Sequence, residues 1–173
     1  MTQLQTQNLE IQDFTLEDAA FIVQLLNDAA FLQFIGDKGV RTEDDARNYL
    51  REGPMASYAE NGFGLMRVSD RASGQPIGMC GLLQRPGQPH PDIGFAFLPD
   101  SCGKGLAYES AMAVLQHGSE TLGLATVDAF TNPDNVRSMR LLERCGLEFA
   151  GMVTLAGIEN EQRLYRIQLS SDA

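Results

Sequence analysis

The chain has 173 residues, 43% apolar and 21% charged, a length and composition that specify one globular domain over 1–173 and exclude wholesale disorder. Twenty-three acidic against thirteen basic side chains leave a net charge of −10, which argues against nucleic acid and anionic membrane as partners and suits a cationic or amine substrate. The three cysteines, Cys80, Cys102 and Cys145, lack Cys-x-x-Cys spacing and have only two histidines for company, so no metal is expected and they read as reduced, buried thiols of a cytoplasmic protein.

The N-terminal stretch has no basic start followed by an apolar run, and no segment approaches 18 apolar residues, so neither export nor membrane spanning is expected. Leu9 to Gln12 alternates as a strand, and Thr15-Leu16-Glu17-Asp18 then supplies an N-cap with acidic residues in the first turn. The helix that follows turns Ala19, Ile22, Val23 and Leu26 inward, and a second begins at Thr42 with Ala46, Tyr49 and Leu50 inward. Between them lies the glycine-punctuated loop 34–39. Two strand-like runs, 62–69 and 76–83, flank a turn-rich segment and predict an antiparallel hairpin.

After the proline-rich loop 85–91, a fourth strand is expected over 92–98, a helix over about 104–121 and a fifth strand over 124–131, a βαβ unit whose strands are parallel. A fourth helix, 136–145, has Asp134 or Asn135 as N-cap and ends at Gly146-Leu147 in the manner of a Schellman turn. Closing strands near 149–155 and 162–169 complete the order. The pattern predicts an α/β (α+β) fold: a single mixed, mostly antiparallel sheet of about seven strands with about four helices on both faces.

Chemistry points first to Cys102-Gly103-Lys104-Gly105-Leu106-Ala107, between the fourth strand and its helix. Two glycines at a helix start let backbone N–H groups surround an anion without Cβ obstruction. The spacing fits neither a dinucleotide fingerprint nor a P-loop, since Tyr108 stands where the former needs glycine and Leu106-Ala107 where the latter needs Lys and Ser or Thr. The same glycines could simply let strand and helix meet closely.

About thirty residues later, Asn135-x-x-Ser138 precedes Leu142-Glu143-Arg144-Cys145-Gly146-Leu147. Together the two stretches resemble the GNAT superfamily of acetyl-CoA-dependent N-acetyltransferases, in particular its Rim-type branch, whose members acetylate N-termini of ribosomal proteins. The family's Arg/Gln-x-x-Gly-x-Gly/Ala element is matched at Gly105 and Ala107, with Cys102 at the Arg/Gln place. The resemblance covers most of the chain, and it implies a splayed parallel pair of fourth and fifth strands. It also implies acetyl-CoA as cosubstrate, bound along Cys102, Gly103, Lys104, Gly105, Leu106 and Ala107, with the diphosphate on the backbone amides from Gly103 to Ala107. The pantetheine arm would pair with the backbone of Phe95 to Phe97, Asn135 would hold the pantetheine or the loop, and Ser138 would face the thioester sulfur.

Attack of an amine on a thioester needs a neutral amine, a stabilised oxyanion and a proton donor for the departing thiolate. At pH 7.4 about a quarter of an α-amine is neutral against about 0.1% of a lysine, so an α-amine needs little help from a base. Ser138 is the expected thiolate donor, directly or through water. Asp92 is the candidate carboxylate beside the amine, with an exposed strand-start aspartate as the alternative. Glu109 reads as structural, His90 and His117 as solvated or satisfied imidazoles, and Tyr165 as a buried aromatic. Phe31, Phe34 and Ile35 could form a wall of the acceptor site, although such spacing is more often core. The expected activity is acetyl transfer to a primary amine by direct attack in a ternary complex, with a protein N-terminus as first acceptor and a small amine second. A CoA-binding module without turnover is the rival reading, and the oligomeric state stays open between monomer and homodimer.

Overall fold

The computed structural model describes residues 1–169. Its strands are β1 (Gln3–Gln5), β2 (Leu9–Asp13), β3 (Leu65–Asp70), β4 (Pro76–Leu83), β5 (Asp92–Phe97), β6 (Thr126–Thr131), β7 (Glu148–Val153) and β8 (Gln162–Gln168). They form one sheet in the order β1-β2-β3-β4-β5-β6-β8-β7, antiparallel throughout except for β5 beside β6. The helices are α1 (Ala19–Leu26), α2 (Ala29–Phe34), α3 (Glu43–Leu50), α4 (Ala56–Asn61), α5 (Leu106–Glu120) and α6 (Val136–Arg144).

Side-chain alternation along the strands gives the sheet two apolar faces. One carries Ile11, Val68, Cys80, Leu82 and Val127 against Ala111, Val114 and Leu115 of α5 and Leu142 of α6. The other carries Leu65 and Met79 against Ile22, Leu25 and Leu26 of α1 and Ala46 and Leu50 of α3. The N-caps expected from sequence are present. Thr15 and Thr42 each close a capping box, with Asp18 and Asp45, and the Asn135 side chain accepts from the Ser138 N–H at 3.2 Å. At the end of α6, Leu147 N–H donates to Leu142 O and Gly146 N–H to Glu143 O, both at 3.0 Å, the two bonds of a Schellman turn around Gly146 at φ 97°.

Three differences from the sequence expectation have simple causes. β1 is an eighth strand that escapes the pattern because Gln3 and Gln5 are exposed and polar. α2 is a short helix capped by Asp28, whose side chain accepts from Ala30 N–H, so the segment before the 34–39 loop is folded rather than open. α3 continues into α4 through a π-helical turn, Arg51–Met55, that carries Pro54 inside it. Wider i→i+5 spacing accommodates a proline that an α-helical reading takes as a stop.

Candidate active site

β5 and β6 share a single registered pair, Asp92 with Asp128, supported by Asp128 N–H donating to Pro91 O at 2.9 Å; beyond it they diverge. On the other side, just past the end of β5, Leu98 N–H donates to Ile77 O of β4. Backbone polar groups of a strand alternate sides, so the N–H and C=O groups of Phe95 and Phe97 face the opening between β5 and β6. That gap is a slot with unpaired backbone donors and acceptors along one wall.

The slot opens into a cavity of about 790 Å³. Ile93, Gly94 and Phe95 of β5, Ala129 and Phe130 of β6, and Asn135, Ser138 and Leu142 at α6 line one half. Phe31, Phe34 and Ile35 of the α2 region, Tyr49 of α3, Glu52 and Pro54 of the π turn, Glu60 of α4 and Glu159 of the β7–β8 loop line the other. Phe31 is also core, while Ile35 is 44% exposed, so the aromatic stretch is wall and core at once. Burial pushes the Tyr49 phenol up to about 12, which leaves it a neutral donor at physiological pH. Carboxylates outnumber cations in the lining, with Asp37, Glu52, Glu60, Asp92 and Glu159 against Lys38 and Arg85.

Asp92 lies at the vertex of the splay and is 1% exposed, so it is not a solvated strand-start residue. Its two carboxylate oxygens accept from Arg85 Nε at 3.1 and 3.3 Å. Burial pushes its carboxyl up to about 6, against the lowering pull of Arg85 and with a smaller upward push from Asp128. Asp128, Arg85 and Arg166 carry no motif, and only the pairing of β5 with β6 and β6 with β8 reveals them as neighbours of the site. Ser138 and Asn135 are both half-buried on the cavity wall. Since Asn135 Oδ1 is engaged in capping α6, its Nδ2 is the group available to a ligand.

The loop 102–107 stands outside the cavity lining, as does Phe97, whose ring packs over the Gly78 position. Gly103 and Gly105 adopt φ of 80° and 77°, with Gly105 as the N-cap of α5, and a Cβ built on either meets nothing within 4 Å. The glycines therefore serve backbone conformation and leave open space beside the unpaired N–H groups of the first turn of α5. This is what a diphosphate needs, so the residues present fit the CoA group that the family resemblance implied. Cys102 is half-buried rather than buried like Cys80 and Cys145, and its thiol lies 3.6 Å from Leu98 O. Burial raises the Cys80 and Cys145 thiols to about 12 and about 11, so both are inert.

Glu109 is structural. Its carboxylate accepts from Thr6 Oγ1, Asn8 N–H and Asn8 Nδ2, tying α5 to the β1–β2 turn; desolvation opposes these bonds, which still hold its pKa below the usual value. His117, lowered by desolvation, lines a small crevice with Phe63, Met66 and Val114 apart from the cavity, and His90 is not part of the cavity lining. Tyr165 is fully buried, edge-on to Phe149 at 5.9 Å. Among the described residues no cluster of His, Cys, Asp and Glu could hold a metal, and no helix is long and apolar enough to cross a membrane.

The acetyltransferase (GNAT) domain family matches residues 8–148, and the chain belongs to that family. It is an acetyl-CoA-dependent N-acetyltransferase, built on one domain-wide mixed sheet. Its sequence is 27% identical over 146 residues to "Uncharacterized N-acetyltransferase YnaD" of Bacillus subtilis (strain 168), covering 84% of this chain and 82% of that protein. In fold it is similar to RimL, described as a ribosomal L7/L12 α-N-protein acetyltransferase in complex with coenzyme A, with TM-score 0.84, 15% identity and coverage of 99% and 100%. A ribosomal-protein-S5-alanine acetyltransferase from Vibrio fischeri superposes with TM-score 0.82 at 14% identity, covering 99% and 98%.

Proposed function

We propose that this enzyme moves the acetyl group of acetyl-CoA to a primary amine by direct attack in a ternary complex, the first acceptor being the N-terminal α-amine of a protein such as a ribosomal protein. The observation that carries the reading is the β5–β6 splay, which joins a backbone-lined slot to a wide cavity with a buried carboxylate at the vertex. The diphosphate sits on the amides from Gly103 to Ala107, and the pantetheine pairs with the gap-facing groups of Phe95 and Phe97. The amine enters from the side of α2 to α4. Asp92, ionised above about pH 6, takes a proton from the ammonium directly or through water. A gap-facing N–H of β5 donates to the oxyanion, and as the C–S bond breaks the Ser138 hydroxyl protonates the thiolate and recovers a proton from the attacking nitrogen.

An α-amine suits a site whose base titrates near 6, because it has only about two units of proton affinity to overcome where a lysine has more than four. The ribosomal-protein assignments of the two fold neighbours belong to those proteins and support the acceptor class only by shared architecture. One observation favours a second acceptor class: Glu52, Glu60 and Glu159 on the outer walls would attract a small polycationic amine.

The test is thiol release from acetyl-CoA against peptides with free Ser or Ala N-termini, lysine-containing blocked peptides and polyamines. Turnover with the free N-termini is the expected result, and preference for a polyamine would replace the protein acceptor. CoA binding with silence across the whole panel would overturn both acceptor classes and point to an amine outside them.

A further inference from the structure

Asp92 and Asp128 lie in register on adjacent strands, so their side chains share one face of the sheet, and each is 1% exposed. Two buried carboxylates at paired positions of adjacent strands both hold a full charge only where each is compensated. The compensation is unequal. Asp128 is gripped by a fork from β8, with Arg166 Nε at 2.6 Å from one oxygen and Nη2 at 3.0 Å from the other. Asp92 is served by a single nitrogen, Arg85 Nε, from the β4–β5 loop rather than from a strand. The Arg85 guanidinium rests 5.8 Å from the ring centroid of Phe130 and lines the cavity with Asp92.

We propose that Arg85 is a positioning residue for acetyl transfer: it orients the Asp92 carboxylate toward the acceptor and sets the pH range over which that carboxylate can take the amine's proton. The proposal rests on the reading of Asp92 as the base. Arg166 holds Asp128 through two hydrogen bonds from β8, while Asp128 pushes the Asp92 carboxyl up and Arg85 pulls it down. The charged groups that bear on Asp92 are Arg85 from the β4–β5 loop and Asp128 from β6, with Arg166 behind Asp128 on β8. Lys38, from the segment between α2 and α3, faces Arg85, and burial together with that guanidinium lowers its ammonium pKa. In the transfer, an N–H bond of the ammonium breaks and an O–H bond forms on Asp92; the freed lone pair forms the C–N bond, the C–S bond breaks, the departing thiolate takes the Ser138 hydroxyl proton and Ser138 takes the second proton of the nitrogen, so that the amide and the free thiol leave and the Asp92 proton returns to solvent.

The experiment measures kcat/KM against pH, with one reactive acceptor, for the parent, Arg85→Gln, Arg85→Lys, Asp128→Asn and Asp92→Asn, alongside acetyl-CoA affinity by calorimetry. Arg85→Gln should move the ascending limb up by about one pH unit, Arg85→Lys should bring it part of the way back, and Asp128→Asn should move it down, all with acetyl-CoA affinity held. Opposite movements in two variants are not the signature of a merely structural contact. A limb unmoved in both Arg85→Gln and Asp128→Asn, while Asp92→Asn abolishes it, overturns the role of Arg85 and leaves the base in place. A parent-like limb in Asp92→Asn overturns the base, and the Arg85 proposal with it. Where a variant turns over too slowly to profile, carbon-13 titration of the Asp92 carboxyl in Arg85→Lys and parent replaces the rate measurement: a raised midpoint in the variant supports the proposal and an unchanged one overturns it.

Discussion

The two halves of the cleft are made of different materials. On the side of β5, α5 and α6 the groups offered to a ligand are largely backbone: the gap-facing amides of Phe95 and Phe97, the first turn of α5 and the capped start of α6. On the side of α2, α3, α4 and the β7–β8 loop they are side chains gathered from residues 31–60 and 155–162. A backbone-built half can bind the same cosubstrate while most side chains drift, because its chemistry resides in peptide groups and its requirements reduce to a few glycines, caps and a splay. The other half has no such economy: each wall residue is an independent choice, and in the reaction we propose it is this half that selects the acceptor.

The sharpest way to break this division is at Asp92, which lies at the junction of the halves. Asp92→Asn should lower kcat/KM about a hundredfold and flatten its rise with pH, with acetyl-CoA affinity kept within about twofold. An affinity loss matching the rate loss would place Asp92 in the cosubstrate half instead. The same residue has a stability signature. Its folded pKa of about 6 lies above the ordinary 3.8, so between those values the folded state binds more protons than the unfolded one. Its contribution is fully present below about pH 4 and is lost as pH rises through 6, on the order of 3 kcal/mol in all. His117, lowered by desolvation, has the opposite slope below 6.5 but is common to parent and variant. The Tm difference between parent and Asp92→Asn should therefore change across pH 4 to 6.5, and a constant difference would remove the perturbed carboxyl.

Within the backbone-built half the effects should be smaller and purely those of binding. Gly105→Val places a branched side chain in the open space beside the first turn of α5 and at a φ of 77°, with about 1–2 kcal/mol of backbone strain. Acetyl-CoA affinity should fall at least tenfold in a domain that remains folded by circular dichroism; intact affinity would move the diphosphate elsewhere. Ser138→Ala should leave affinity nearly unchanged and reduce kcat about tenfold, read most directly in single-turnover kinetics. A lower affinity with unchanged kcat would make Ser138 a part of the slot wall only.

What can be read from the sequence follows the same division. The glycine loop, the Asn135 cap and the Gly146 turn are local events governed by neighbours in the chain, so their residue types announce them. Asp92 is legible as a residue but not as a buried one, because its burial depends on β6 and on a loop arginine seven positions away. Asp128 and Arg166 are silent for the same reason: one is an acidic residue in a strand, the other a basic residue 38 positions later, and only the antiparallel register of β6 and β8 joins them. The α3–α4 wall is hidden behind Gly53 and Pro54, which signal a break in an α-helix and here sit inside a π turn.

The smallest predicted effect concerns that wall. Glu52 and Glu60 are exposed residues at the cavity, so their attraction for a cationic acceptor is screened by water and salt and is worth well under 1 kcal/mol each. Glu52→Gln combined with Glu60→Gln should raise KM for a polyamine about two- to fivefold at low salt, with kcat unchanged and the difference shrinking at high salt. For a peptide whose only cation is its N-terminal amine, the change should be smaller still, since the ammonium travels on to Asp92 and no second cation remains at the wall. Equal KM changes for both acceptors would mean that the two glutamates act on overall encounter rather than on selection, and the distinction between a fixed cosubstrate half and a selective acceptor half would then have to rest on the apolar residues around Phe34 and Ile35.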